Sequence, residues 1–115
     1  MNSQIKEIFK DFKVDKVSIP VSFLFYDGKK DTYVVFMEWD KDNSYGADDE
    51  IAGYVTYYDF EIYSKGNYLK IAEAIKEKMR AAGWTYQPRR ESPDRYDKDT
   101  GFYSKTLCFA YPIQL

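Results

Sequence analysis

The sequence predicts an α+β fold in which helices pack on one face of a mostly antiparallel sheet, in the order α-β-β-β-α-β-β. Three features predict it: a long stretch of alternating side chains, an amphipathic helical stretch directly after it, and further alternating stretches separated by polar turns. The chain has 115 residues, which is the size of one domain, so we expect a single domain over residues 1–115.

The N-terminal quarter of the chain predicts one helix and one strand. Apolar residues recur there at helical spacing, with Ser3 as the expected cap, and residues 13–16 form a connector. Residues 17–25 then alternate between apolar and polar side chains and predict one strand, with Pro20 at its start or on an edge. The helical stripe consists of Ile5, Ile8, Phe9 and Phe12.

The next stretch predicts a turn, a central strand and a polar loop. Asp27 and Gly28 are typical turn residues. Residues 32–39 are apolar on both faces, as in a central or interface strand, and residues 40–50 are polar and predict a loop. The loop begins like a calcium-binding loop at Asp40, but a tyrosine stands at its sixth position and an isoleucine at its twelfth. A solvated acidic loop is therefore favoured, and cation binding by residues 40–50 stays open.

Residues 51–84 predict a strand, a tight turn and a helix. Along residues 54–63 one face carries aromatic and aliphatic side chains, and the other carries Asp59 and Glu61, which indicates contact with water or a polar partner. Residues 64–66 turn the chain, and Asn67 is the expected N-cap of a helix over residues 67–82. The helix is expected to pack on the strand face that carries Tyr58, Phe60 and Ile62. Its predicted apolar stripe is Leu69, Ala72, Ile75, Met79 and Ala82.

The end of this helix has the pattern of a Schellman motif. Gly83 is expected to adopt a positive φ, and Trp84 is expected to pack on Met79. Residues 87–101 then predict a second polar loop, in which Asp97 and Asp99 precede a turn at Gly101, and residues 102–111 predict the last strand. We expect both long loops to be mobile in the isolated protein and to become ordered on a partner.

The composition argues against most catalytic chemistry. There is no histidine, so the commonest general base and metal ligand is missing. Cys108 is the single cysteine, stands in an alternating stretch and is expected to be a small core residue. Serine nucleophile motifs and phosphate-binding glycine loops are also missing. We therefore expect no enzyme activity, no cofactor and no metal site.

Charge and hydropathy argue against a nucleic-acid or membrane partner. The net charge is −2, and the arginines of residues 89–95 are interspersed with acids, so no specific nucleic-acid site is predicted. No apolar run is long enough to cross a bilayer, and the N-terminus does not resemble a signal peptide. A single cysteine suits a reducing compartment, and we expect a cytoplasmic product without a membrane partner.

Two charged segments are candidate docking sites for a protein partner. The acidic run at residues 48–50 either keeps the protein soluble or docks on a basic surface of a partner. The second segment combines basic residues with an aromatic residue. The candidate docking residues are Asp48, Asp49, Glu50, Arg89, Arg90 and Tyr96.

Two stretches of the chain carry a resemblance to a known family. They read YGADDEIAGYVTYYDFEIYSKGNYLKIAEAIKEKMRAAGW at residues 45–84 and DRYDKDTGFYSKTLCFAY at residues 94–111. The sequence resembles the small tail-completion, or tail-terminator-like, proteins of long-tailed phages and prophages of Gram-positive hosts. The shared pattern is an acidic loop, a strand that ends in Tyr63-Ser64-Lys65, a helix that ends in Gly83-Trp84, and a turn of the form Tyr-acid-x-acid-Thr from Tyr96 to Thr100.

The resemblance implies a non-enzymatic virion protein that completes the tail and joins it to the neck of the head. Its implied partners are the tail-tube protein and the head–neck connector, with self-association into a hexameric ring on the tail. Its implied location is the virion, and the host cytoplasm during assembly. The alternatives are a neck or minor capsid protein, and a small α+β module that binds a ligand or RNA.

Overall fold

The computed structural model describes residues 1–45 and 51–114 of the chain. Within them, two helices and eight strands are joined by short turns, and a 3₁₀ turn lies near the C-terminal end. The elements are α1 (Asn2–Ile8), β1 (Lys13–Val14), β2 (Val17–Ser18), β3 (Val21–Phe23), β4 (Tyr33–Tyr45), β5 (Ile51–Ser64), α2 (Tyr68–Ala81), β6 (Thr85–Tyr86), the 3₁₀ turn Pro88–Arg90, β7 (Arg95–Asp97) and β8 (Phe102–Gln114).

One six-stranded mixed sheet organises the molecule. Its strand order is β3-β4-β5-β8-β6, and β7 also pairs with β8. All neighbours are antiparallel except β3 and β4, which run parallel. The predicted α+β class, with helices on a mostly antiparallel sheet, is confirmed.

The hydrophobic core lies between the two helices and one face of this sheet. On the central strand β5, Phe60 is opposite Phe36 of β4 on one side and Leu107 of β8 on the other. All three side chains are fully buried, and the rings of Phe36 and Phe60 stack with centroids 5.6 Å apart. The helix therefore packs on the predicted face of β5. The helices contribute Ile5, Ile71, Ala72, Ile75 and Met79 to the core, and Phe9, Phe12 and Trp84 join it from the segments that follow them.

Helix α2 begins and ends near its predicted bounds, but two details differ. Asn67 occupies the N-cap position without a side-chain capping bond, and the N–H of Tyr68 donates to the Gly66 carbonyl oxygen. The buried stripe contains Ile71, which was not predicted, whereas Leu69 is 55% exposed. The predicted stripe was therefore wrong in phase at its N-terminal end, since the first turn presents residues 68, 71 and 72 to the sheet. Ala82, the last predicted member, is also exposed.

The predicted Schellman motif at the end of α2 is confirmed. Gly83 has a φ of +93°, a conformation that costs a residue with a side chain about 1–2 kcal/mol. The Trp84 N–H donates to the Met79 carbonyl oxygen at 2.9 Å, and the Gly83 N–H donates to that of Arg80 at 3.0 Å. Trp84 and Met79 are both buried, so the motif seals this end of the core.

The N-terminal segment differs from its prediction in three ways. Met1, not Ser3, is the N-cap of α1. The expected connector instead forms the β1–β2 hairpin, in which Asp15 and Lys16 both have positive φ, as a two-residue hairpin turn requires. The single strand predicted over residues 17–25 is broken at Pro20, which has no N–H for a ladder, so that only Val21–Phe23 joins the large sheet.

The polar segment that was predicted as a loop over residues 40–50 is largely strand. β4 continues to Tyr45 and pairs with β5 as far as Ile51, after a bulge at Trp39. Residues 46–50 lie outside the described part of the chain. Residues 40–45 form an extended strand and so do not have the backbone of a calcium-binding loop, while the rest of the segment for which cation binding was left open lies outside the described residues.

This extension gives the molecule a projecting arm, formed by residues 40–45, 51–56 and 111–114. On β5 the hydrophobic cluster ends at Tyr58, and the three strands continue past it. Fourteen residues of β5 span about 46 Å at the usual rise of a strand. The molecule accordingly measures 53 × 27 × 23 Å.

The second predicted loop, residues 87–101, also contains regular structure. It holds the 3₁₀ turn Pro88–Arg90 and strand β7, which follow the outer side of β8 together with β6. Between them the Ser92 N–H donates to the Thr106 carbonyl oxygen at 2.9 Å. The predicted turn at its end is confirmed, since the Gly101 N–H donates to the Asp97 carbonyl oxygen at 2.7 Å.

Candidate functional site

The sheet has one face covered by the helices and one face that neither helix covers, which we call the open face. Because strand side chains alternate, the register of β4, β5 and β8 assigns every second residue to it. Large aromatic side chains, carboxylates and small polar side chains share this face. Its residues are Tyr33, Val35, Met37, Asp40 and Asp42 on β4, Val55, Tyr57, Asp59, Glu61 and Tyr63 on β5, and Ser104, Thr106, Cys108 and Ala110 on β8.

An arginine is stacked on two aromatic rings at one end of the open face. The guanidinium carbon of Arg90 lies 4.1 Å from the ring centroid of Trp39 and 4.6 Å from that of Tyr57. The 3₁₀ turn places Arg90 over the face, and the β4 bulge turns Trp39 toward it. Such a cation–π contact contributes about 0.5–1 kcal/mol at an exposed site, so the stack is ordered but separable.

A chain of polar contacts runs beneath this stack. The Trp39 Nε1–H donates to Cys108 Sγ at 3.2 Å, and Cys108 lies directly opposite Asp59 in the β5–β8 register. Burial raises the pKa of Asp59, while a hydrogen bond with Cys108 and the positive charge of Arg90 oppose this shift. Burial likewise raises the pKa of the Cys108 thiol. Cys108 is fully buried, which confirms its prediction as a core residue, and its protonated form is not a nucleophile.

A row of stacked tyrosines occupies the other end of the open face. Tyr33 is stacked between Tyr26, at a centroid distance of 4.6 Å, and Tyr63, at 5.0 Å. Phe102 meets Tyr33 edge to face at 6.1 Å. The Tyr63 hydroxyl donates to Glu61 Oε2 at 2.7 Å, and burial together with that bond raises the pKa of Tyr63 to about 12.

A second arginine flanks the tyrosine row from the sheet edge. Arg95 on β7 donates from Nε to Ser104 Oγ at 3.2 Å and from Nη2 to Thr106 Oγ1 at 2.9 Å. The carboxylates of Asp59 and Glu61 lie between the two arginines. The open face is therefore aromatic and of mixed charge, without a continuous basic patch.

The predicted docking residues that the structure describes do not form one site. Asp48, Asp49 and Glu50 lie outside the described residues. Arg89 is exposed beside Arg90 on the 3₁₀ turn, but Arg90 is held by the aromatic stack. Tyr96 is 57% exposed and packs on Tyr103, at a centroid distance of 4.7 Å, on the helix side of the sheet. The structure thus separates Tyr96 from the arginines.

A partly buried ion-pair cluster lies on the helix side, near β6. Lys105 Nζ lies 2.8 Å from Asp94 Oδ1 and 3.4 Å from Glu91 Oε2, and Lys76 Nζ of α2 lies 3.2 Å from Glu91 Oε1. Tyr86 also donates to Glu91. Burial alone would raise the pKa of Glu91, but the hydrogen bonds from Tyr86 and Lys76 and the nearby positive charges lower it overall. The cluster fixes residues 91–94 against α2 and β8.

Most residues of the open face were not singled out from the sequence as a site. The alternation of β5 assigned Asp59 and Glu61 to a face that meets water or a polar partner, and the register confirms that assignment. Trp39, Tyr33 and Arg95 were not predicted as members. These residues reach the open face through the bulge in β4 and through pairing of strands that are far apart in the sequence. Neither feature has a local sequence signal.

Neither a group of three possible metal ligands nor a helix long and apolar enough to span a membrane is found in residues 1–45 and 51–114. A comparison with models of known protein families finds no match, and a comparison with curated proteins finds none either.

Proposed function

We propose that this protein is a non-enzymatic assembly component of a long-tailed phage, which completes the tail and joins it to the neck of the head. The observation that carries the proposal is the open face of the sheet, which presents stacked aromatics and two arginines opposite the helices. The resemblance of residues 45–84 and 94–111 to tail-completion proteins supplies the biological role. The open face supplies the surface that such a role needs.

The chemistry of the open face favours a protein partner. Trp, Tyr and Arg are the residues that most often dominate the binding energy of protein interfaces. Trp39 is 45% exposed and partly held by Arg90, so it is accessible to a partner as an anchor. The carboxylates of Asp59 and Glu61 between the arginines would repel the phosphates of a nucleic acid.

Assembly into a ring would need two contact patches on each chain. A ring of identical subunits uses a heterologous contact, in which two different patches of the same chain meet. The open face would be one patch, and the elongated 53 Å body leaves room for a second patch away from it. The tail-tube protein and the head–neck connector would then contact the two sides of the ring.

A matched pair of substitutions tests the proposal. Trp39 and Leu69 are both large, apolar and about half exposed, but Trp39 lies on the open face and Leu69 lies on the outer side of α2. We expect Trp39→Ala to reduce the yield of infectious particles from tails and filled heads at least tenfold, and Leu69→Ala to leave it unchanged. The measurement is the particle titre when each variant replaces the native protein.

Two experimental results would contradict the proposal. A normal titre with Trp39→Ala and with a second open-face change, Glu61→Lys, would show that this face does not join tails to heads. Binding of single-stranded RNA by the native chain, lost in Trp39→Ala, would instead support the RNA-binding alternative, for which the stacked tyrosines would be the platform. Circular dichroism melts of all variants provide the control for folding.

A further inference from the structure

The outer edge of β4 is paired along only part of its length. β3 covers Val34–Phe36, whereas β4 continues for nine more residues to Tyr45. Over those residues, β5 is the only strand that pairs with β4 in the described part of the chain. An extended strand edge of this kind is a template for another strand.

The direction of the backbone groups on this edge follows from the paired part. The Val34 N–H donates to Pro20 and the Phe36 carbonyl oxygen accepts from Leu24, so these residues point outward. The same alternation points Glu38 outward and, after the bulge at Trp39, Lys41 and Asn43. The bulge breaks the spacing between Glu38 and Lys41, so the edge presents donors and acceptors at strand spacing from residue 40 to residue 43.

One of these outward groups already has a substitute partner. The Lys41 N–H donates to Asp40 Oδ1 at 2.8 Å, a side-chain carboxylate that stands where a neighbouring strand would place its carbonyl oxygen. Asp40 thus caps the edge in the isolated chain. An added strand would replace this cap and leave the Asp40 carboxylate free to meet a cation.

Three of the six side chains from residue 38 to residue 43 are acidic. Asp40 and Asp42 lie on the open face, and Glu38 lies on the helix face, where it pairs with Lys41 at 3.6 Å. Residues 38–42 therefore carry three carboxylates and only one ammonium group. Like charges directly opposite each other destabilise a strand pair, so these acids reject an acidic strand and favour a basic one.

The opposite edge of the sheet does not offer the same template. Beyond its pairing with β6, β8 continues through Pro112, and the outward carbonyl oxygens of Thr106 and Cys108 show that even-numbered residues of β8 point to that edge. Pro112 falls in this set and has no N–H to donate. A partner strand therefore meets a full set of backbone groups on β4 and an interrupted set on β8.

We propose that residues 40–43 of β4, beyond the bulge at Trp39, bind an extended segment of a partner protein as an added strand, with lysine or arginine at alternate positions opposite Asp40 and Asp42. The backbone bonds supply affinity and the two carboxylates select the charge of the segment. This inference concerns the backbone edge of β4 rather than contacts of the Trp39 ring, and does not depend on the phage assignment.

A synthetic peptide with alternating lysine and valine, blocked at both ends, is the probe. We expect it to slow amide hydrogen exchange of Lys41 and Asn43, measured by NMR, and to do so less as salt is raised. Two matched peptides are the controls: one in which glutamate replaces lysine, and one with N-methyl groups on alternate backbone nitrogens, which removes the donors of one edge. Neither is expected to protect these amides.

Charge reversal on the protein completes the test. Asp40→Lys combined with Asp42→Lys should weaken binding of the lysine peptide at least tenfold and create binding of the glutamate peptide. Glu7→Lys combined with Glu77→Lys changes the net charge equally on the helices and should leave binding unchanged. If the first pair unfolds the arm, Asp40→Asn with Asp42→Asn keeps the shapes and should still weaken binding.

The proposal would be overturned by absent protection of Lys41 and Asn43 at millimolar lysine peptide. Equal protection by the N-methylated or the glutamate peptide would overturn it as well. These outcomes concern the β4 edge alone. They would leave the proposed function, which the particle assay with Trp39→Ala tests, unaffected.

Discussion

At the scale of single residues, the open face retains a charge that the fold disfavours. Asp59 is half-buried beneath the Arg90 stack, and burial raises the pKa of its carboxyl group. A group whose pKa is raised by folding contributes stability below its unfolded pKa and loses that contribution as the pH rises through the folded pKa. At neutral pH the ionised Asp59 is therefore a net cost to folding, which suits a residue kept for binding.

This argument predicts the effect of Asp59→Asn on stability. The variant should be more stable than the native chain at pH 7, by about 1 kcal/mol or less, since a partly exposed charge is involved. The gain should shrink as the pH falls through the raised pKa of folded Asp59, and it should be lost below 3.8, the ordinary pKa of an Asp side chain, because Asp59 is then protonated in both states. Urea denaturation at pH 7 and at pH 3 measures the difference, and a less stable variant at pH 7 would contradict the prediction.

At the scale of elements, α2 shows how the phase of a helix is decided by its packing. Ile75 is fully buried against the sheet, whereas Leu69, which has the same size and a similar helical spacing, is 55% exposed. The spacing alone allows either stripe, and contact with β5, β6 and β8 selects one.

The two positions of α2 should therefore respond differently to truncation. Ile75→Ala should lower the free energy of unfolding by about 2–5 kcal/mol, as expected for a buried large-to-small change. Leu69→Ala should change it by about 0.5 kcal/mol or less, as is usual for the surface. Thermal melts followed by circular dichroism compare the two, and equal losses would mean that α2 is rotated relative to this description.

At the scale of the whole molecule, the arm makes the chain longer than a compact domain of its size. The Cα radius of gyration is 15.5 Å, against about 13 Å for a compact domain of this length. The exposed large apolar side chains, among them Phe25, Trp39 and Leu69, lie on different sides of the body. No single broad apolar seam is present among the described residues, so an obligate contact between isolated chains is not expected.

We therefore predict an elongated monomer, or a weak oligomer, in dilute solution, with ring formation on the tail. Small-angle scattering at low micromolar concentration should give a maximum dimension slightly above 53 Å, and light scattering should give the 13.6 kDa mass of one chain. A tight dimer or hexamer under these conditions would contradict the prediction.

Features that depend on neighbours along the chain could be predicted before the fold was known. Strand alternation placed Tyr58, Phe60 and Ile62 on one face of β5, and glycine chemistry at Gly83 defined the end of α2, because side-chain period and φ preference are local properties. The α+β class followed from the order of these elements. The functional role rests on the resemblance in sequence pattern and stays a proposal.

Features that depend on residues far apart along the chain could not be predicted in this way and are visible only in the folded protein. Residues 40–45 are polar and have the local character of a loop, but pairing with β5 makes them strand and creates the arm. The parallel β3–β4 pair likewise follows from how the chain returns to the sheet. Arg90 reaches Trp39 because β6, β8, β5 and β4 lie side by side, an adjacency between residues 51 positions apart that no local pattern encodes. The candidate site is made of such long-range pairs, and its charged and aromatic members could be recognised in the sequence only one at a time.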